Sequence, residues 1–144
     1  MTNHFSLQEL TRTAVNATNL PNQEQKEALQ LLAEKVLEPA REILERPIRV
    51  TSGFRSVVTN RLIPGSSKNS QHCKGEAADL QCHNNLELFN IIKDYLVFDQ
   101  LIYEHTGPTG PAWVHVSYKK EGNRGQILQA ISMGGRTQYV PYKL

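Results

Sequence analysis

The stretch Ser70–Gln81, SQHCKGEAADLQ, sets His72 and Asp79 on either side of a lysine–glycine turn and two alanines. EAADLQ reads as a short strand. In a strand successive side chains alternate, so Ala77 and Asp79 share one face. Alanines at 77 and 78 keep that strand slim, which lets another backbone or a ligand approach closely. Gly75 supports a turn that brings His72 back towards Asp79. Further along, AWVHVSY reads as a second strand, with Trp113, His115 and Ser117 on one face and Val114 and Val116 on the other. The valines read as core contacts, which sends His115 to the opposite face.

Around these strands the pattern is helices first and strands later. FSLQEL is a helix start: Ser6 and Glu9 fit a capping box, and Phe5 with Leu10 fits a hydrophobic staple. A longer helix begins at NQEQ, where Asn22 caps and Gln25 reaches back. Leu29, Leu32, Val36, Ala40 and Ile43 then recur at three- and four-residue steps. Pro39 is expected to bend or interrupt that helix. IRVTS is a strand, Gly53–Ser70 an ordered loop with a short helix around Asn60, and NNLELFNIIKDYL a third helix capped by Asn84 and Glu87. DQLIYE is a strand joined to AWVHVSY by HTGPTGP. GQILQAI and TQYVPY form a last hairpin around Gly134–Gly135, with Tyr118, Tyr139 and Tyr142 as its packing. The expectation is one small α+β domain over residues 1–144, an antiparallel sheet packed by helices.

Composition narrows the class of function. Apolar residues make up 39 % and charged residues 21 % of the 144, as in globular chains. The net charge is only +2 and its positive residues are scattered, so nucleic acid is not the expected partner. A weakly basic surface still tolerates an anionic polymer such as a cell wall. No apolar run approaches the roughly 18 residues that span a bilayer. The opening MTNHFSLQEL lacks a basic segment followed by an apolar one, so synthesis in the cytoplasm without a secretory signal is expected. On the same ground Cys73 and Cys82 are read as reduced thiols. A monomer is expected.

His72, Asp79 and His115 are two imidazoles and a carboxylate, a normal three-ligand set for catalytic zinc with one position left for water. Zinc acidifies such a water and polarises a carbonyl, which suits amide hydrolysis. That reaction also needs a base and something to hold the oxyanion. Glu104, at the end of DQLIYE, is a candidate base. Arg55, after IRVTS, is a candidate clamp, because guanidinium forks match carboxylates and oxyanions. Trp113 and Tyr103 could line a substrate groove or simply cover the sheet. Each residue has an ordinary alternative: a lone strand histidine packs or is solvated, an arginine after a strand meets solvent, and a glutamate there belongs to a turn. Cys73, Cys82 and His83 do not match a structural zinc spacing, and His105 reads as a solvated loop histidine.

SQHCKGEAADL resembles the Ser-x-His-x-x-Gly-x-Ala-x-Asp signature of the zinc D-Ala-D-Ala metallopeptidases. WVHVSY is similar to their second histidine strand and VTSGFRS to their arginine segment, in the same order and at the same separations. The likeness extends to short phage and prophage members that open with an F-x-x-x-E-L helix, and it weakens after Tyr118. It implies one zinc per chain held by His72, Asp79 and His115, with Arg55 steadying the oxyanion and Ser70 orienting substrate or the ligand loop. It implies peptidoglycan stem peptides as substrate, cut at bonds involving D-amino acids by a D,D-carboxypeptidase or an endolysin-type endopeptidase. The fold implied is that of the hedgehog signalling domain, and the place of action is the wall, after release or from a virion. Two positions depart from the pattern. Ala112 stands where many relatives carry an acidic base, and Trp113 where some carry a further histidine. Glu104 could supply the missing carboxylate from the neighbouring strand. A zinc-stabilised binding module of the same fold is the alternative reading.

Overall fold

The computed structural model describes residues 1–64, 66, 67 and 69–143. Helix α1 (Leu7–Thr11) starts where expected: Ser6 accepts from the Glu9 N–H, and Phe5 and Leu10 are both buried. Helix α2 (Gln23–Leu32) carries the full reciprocal box, in which Asn22 accepts from the Gln25 N–H and Gln25 accepts from the Asn22 N–H. The chain continues through a π-helical turn (Ala33–Leu37) into α3 (Glu38–Leu44), with Pro39 in the first turn of α3. The interruption expected at Pro39 is thus a wide turn just before it. A π turn takes up about one extra residue, so the buried stripe beyond it moves on by one. Leu44 is 5 % exposed and closes the stripe, whereas Ile43, expected there, is 46 % exposed.

Six strands form one sheet in the order β1-β2-β4-β3-β5-β6. They are β1 (Arg49–Ser52), β2 (Ala77–Gln81), β3 (Gln100–Glu104), β4 (Trp113–Ser117), β5 (Gln126–Met133) and β6 (Arg136–Pro141). Every neighbouring pair is antiparallel except β3 and β5, which run parallel. The sheet is thus mostly antiparallel, as expected, with this one parallel seam. The chain leaves β4 and returns through residues 118–125 to lie on the far side of β3, and Arg124 anchors the return to the buried Asp99 through 3.0 and 2.7 Å bonds. The final hairpin turns at Gly134 and Gly135, both at positive φ, as a tight two-residue connection demands.

One face of the sheet is the core. Ala78, Leu80, Val114, Val116 and Leu101 are fully buried in one cluster with Leu29, Leu32, Leu37, Leu88, Phe89 and Ile92 from the helices, among them α5 (Asn85–Tyr95). Tyr103 belongs to this face as well, edge-on to Phe89 and stacked on Tyr142. Its groove-lining alternative is thereby excluded, and Tyr142 packs as expected. Tyr139 does not: it lies 55 % exposed on the opposite face. The long connection after β1 is mostly irregular, with α4 (Val57–Arg61) capped by Ser56 where a short helix was expected. Gly65 and Lys68 of that connection lie outside the described residues.

The turn that carries His72 is held from three sides. It is a 3₁₀ turn (Gln71–Lys74) capped by Ser70, whose hydroxyl accepts from the His72 N–H at 3.1 Å. Gln25 donates to the Cys73 carbonyl at 3.1 Å, so the start of α2 braces it. Gly75 ends it at φ +75°, and a Cβ there would sit 2.5 Å from the Gln25 carbonyl oxygen. Left-handed backbone costs an L-residue roughly 1–2 kcal/mol before any clash. Gly75→Ala is therefore expected to destabilise the fold by at least about 1–2 kcal/mol. Urea denaturation checks this; a midpoint equal to wild type would show that the turn yields freely.

Candidate active site

The site is built on the face of the sheet opposite the core. Asp79 pairs directly with His115 across β2 and β4, and His115 pairs with Ile102 of β3. The polar members of this face come from three sequence segments, yet strand alternation puts them side by side. His115 Nδ1 lies 3.0 Å from Asp79 Oδ1, and His72 Nε2 lies 3.4 Å from the same oxygen. The two imidazoles meet edge to face with centroids 5.2 Å apart. One donor atom from each of His72, Asp79 and His115 lies within 4.8 Å of the others, a spacing that could hold a metal ion.

The surroundings fit that use. His72 is 3 % exposed, and its Nδ1 sits 2.7 Å from the Gly53 carbonyl oxygen. A carbonyl can only accept, so Nδ1 carries the proton and Nε2 keeps its lone pair towards Asp79. Gly53 is tightly seated, since a Cβ on it would lie 2.3 Å from the Leu10 carbonyl oxygen. Two residues on, the Arg55 N–H donates to the His72 carbonyl at 3.1 Å, so this short segment brackets the histidine. Burial lowers the pKa of His72 against the opposing pull of Asp79, which favours the neutral imidazole a metal requires. Burial alone would raise the Asp79 pKa, but its attraction to the two imidazoles and its hydrogen bonds with them outweigh burial and keep the carboxylate ionised. Two nitrogens and one ionised oxygen are donors suited to zinc.

Arg55 sits beside this group. Its NH2 lies 3.4 Å from Asp79 Oδ2, while Nε donates to Ser52 Oγ at 3.0 Å and NH1 to Asn60 Oδ1 at 3.2 Å. Asn60 is buried and in turn donates to the Ser67 carbonyl at 2.7 Å. Ser52, Gly53 and Asn60 thus fix the site, and sequence reading had not singled them out. Ser52 and Gly53 lie within VTSGFRS itself; nothing local to Asn60 marks it.

Glu104 shares the site face. It pairs with Trp113, and its carbonyl accepts from the Ala112 N–H at 2.9 Å, so Glu104 and Ala112 are neighbours across the strands. Glu104 is 5 % exposed. Burial, with a smaller push from Asp79 and against His115, raises its pKa from 4.5 to about 7. Trp113 is half-buried on the same face, with its ring 5.5 Å from that of His105. His105 is partly buried rather than freely solvated, and Ser132 Oγ lies 3.4 Å from its Nδ1. Cys73 and Cys82 are free thiols outside the ligand group.

The raised Glu104 pKa has a consequence for stability. Between pH 4.5 and about 7 the folded protein holds a proton that the unfolded chain has released. Folding then binds more protons than unfolding, so stability falls as pH rises. The metal-free protein is expected to lose up to ~3 kcal/mol from this group between about pH 4 and pH 8. His72, held neutral, contributes with the opposite sign in both wild type and Glu104→Gln, so their difference isolates Glu104. Urea titrations at several pH values are expected to show Glu104→Gln gaining on wild type as pH rises. Parallel profiles would mean that Glu104 titrates as a solvated carboxylate.

A family model described as Peptidase M15 matches residues 3–117. No curated protein matches the chain.

Proposed function

The chain belongs to the peptidase M15 family, and from that premise we propose that it is a zinc-dependent peptidase of peptidoglycan stem peptides, cutting amide bonds that involve D-amino acids as a D,D-carboxypeptidase or an endolysin-type endopeptidase. The observation that carries this reading is the convergence of His72, Asp79 and His115 donors within 4.8 Å on the face that also bears buried Glu104. His72 would hold the metal through Nε2, because Nδ1 is engaged by Gly53, and His115 through Nδ1, the nitrogen facing Asp79. When bound, zinc supplies a Lewis acid that acidifies water and polarises the scissile carbonyl.

The remaining steps fall to side chains of this chain. Glu104 takes a proton from the attacking water and returns one to the leaving amine. Burial, which raises the pKa of this carboxyl group, moves it towards the range where one group can be both base and acid at neutral pH. This gives Glu104 the task that the alanine at 112 cannot perform. Arg55, held by Ser52 and Asn60, faces the negative charge that develops on the carbonyl oxygen. Being fixed in advance, it costs no reorganisation during the reaction. Trp113 offers an apolar wall beside Glu104 for the peptide, and Ser70 keeps the His72 turn in place.

Mass spectrometry of purified muropeptides incubated with the zinc-loaded protein tests this reading. Loss of a terminal D-amino acid or cleavage of a cross-link is expected; intact muropeptides would leave a zinc-stabilised binding module in its place. Glu104→Gln is expected to keep its zinc and lose about two to four orders of magnitude in turnover. Arg55→Ala should lower turnover by roughly a hundredfold or more. Metal analysis is expected to find little zinc in His72→Ala or His115→Ala and a full complement in Cys73→Ser/Cys82→Ser.

A further inference from the structure

The final hairpin lies beyond the residues that the family model matches, which end at Ser117, whereas β5 begins at Gln126 and β6 at Arg136. Its register nevertheless carries it to the site. Glu104 pairs with Trp113 on one side and with Ala130 on the other, and Ala130 pairs with Tyr139. Directly paired residues point to the same face of a sheet. Trp113, Glu104, Ala130 and Tyr139 therefore form one row across four strands, on the face that bears His115. The only side chain between Glu104 and Tyr139 in that row is the buried methyl group of Ala130. A tyrosine is long enough to lean across so short a neighbour. Burial, then the charges of Glu104 and Asp79, raises the pKa of the Tyr139 phenol, so the hydroxyl keeps its proton and can donate.

We propose that Tyr139 bounds the β5–β6 side of the site face and donates a hydrogen bond to a backbone carbonyl oxygen of the bound peptide, positioning it against Glu104. The inference rests on the peptidase reading for the nature of the ligand. A carbonyl suits this end better than a carboxylate, because the nearest titratable groups, Glu104 and Asp79, are acids that offer an anion no cation, whereas Arg55 supplies one on the β1 side. Trp113 and Tyr139 flank Glu104 in the row, so the peptide passes between two aromatic rings over the base.

The test separates binding from turnover. Zinc-loaded Glu104→Gln, slowed in hydrolysis, is titrated calorimetrically with a purified disaccharide-pentapeptide muropeptide and compared with Glu104→Gln/Tyr139→Phe. The phenylalanine keeps the half-exposed ring and removes only the hydroxyl. A rise in Kd of about three- to tenfold is expected, the size of one neutral hydrogen bond. Equal Kd values, or no binding of the muropeptide to Glu104→Gln, would overturn the proposal. In the otherwise wild-type enzyme Tyr139→Phe is expected to raise KM by a similar factor with kcat within about twofold, the pattern of lost uniform binding. A fall in kcat at unchanged KM would also overturn it. Binding that depends on Tyr139 in a protein that hydrolyses no muropeptide would sink the catalytic reading and leave this one standing.

Discussion

The pairing of Asp79 with His115 across two antiparallel strands is the constraint on which the site depends. It places a carboxylate oxygen 3.0 Å from an imidazole nitrogen on the polar face, and it leaves Leu80, Val114 and Val116 on the other face under the helices. Slipping β4 by one residue would turn His115 off the polar face and bring Val114 and Val116 out of the core, and slipping β2 would do the same to Asp79 and Leu80. Each aliphatic side chain so exposed costs roughly 1.5–3 kcal/mol, a sizeable part of the whole stability of a small domain. The register of Asp79 and His115 is thus guarded by hydrophobic burial on the reverse side of the sheet. His72 comes from outside the sheet and needs separate means: Gly53 at Nδ1, Ser70 at its N–H and the Gly75 turn behind it.

Three ionisable groups share this small volume and are tuned in different directions. Asp79 is ionised because two imidazoles surround it. His72 is neutral because it is buried against a carbonyl. Glu104, one strand away, is buried with little to offset the loss of water. Opposite shifts in two carboxylates on one face leave one ionised and the other able to hold a proton near neutral pH, the division of labour that acid–base sites rely on. The distinction comes from what each touches, since both residues are acids at ordinary strand positions.

Local signals in the sequence carry over well where the physics is local. The Asn22–Gln25 box, the alternation in WVHVS, the glycine pair at 134–135 and the small residues around Asp79 each depend on a few adjacent residues, and each has the form expected. The shortfalls involve distance or geometry that propensity does not encode. The π turn moved the buried position from Ile43 to Leu44 because one extra residue per turn leaves no mark in composition. The parallel pairing of β3 with β5 is set by where residues 118–125 dock. Asn60 reaches Arg55 only through the folded loop. Tyr139 was read with Tyr142 as hairpin packing, but three residues along a strand reverse the face, so the two cannot both be packing on one side.

The outer strand β6 carries a further consequence. Tyr142 donates to the Ile127 carbonyl, so the adjacent pair, Leu128 with Pro141, is one in which the backbone groups of β6 turn away from β5. A proline there removes the one N–H that would otherwise project from the rim at that point. Two copies of the chain approaching rim to rim would find the ladder broken beside Pro141, which opposes the edge-on zippering that leads to aggregation. This border of the site face can therefore stay uncovered while its edge offers a neighbouring strand an interrupted ladder.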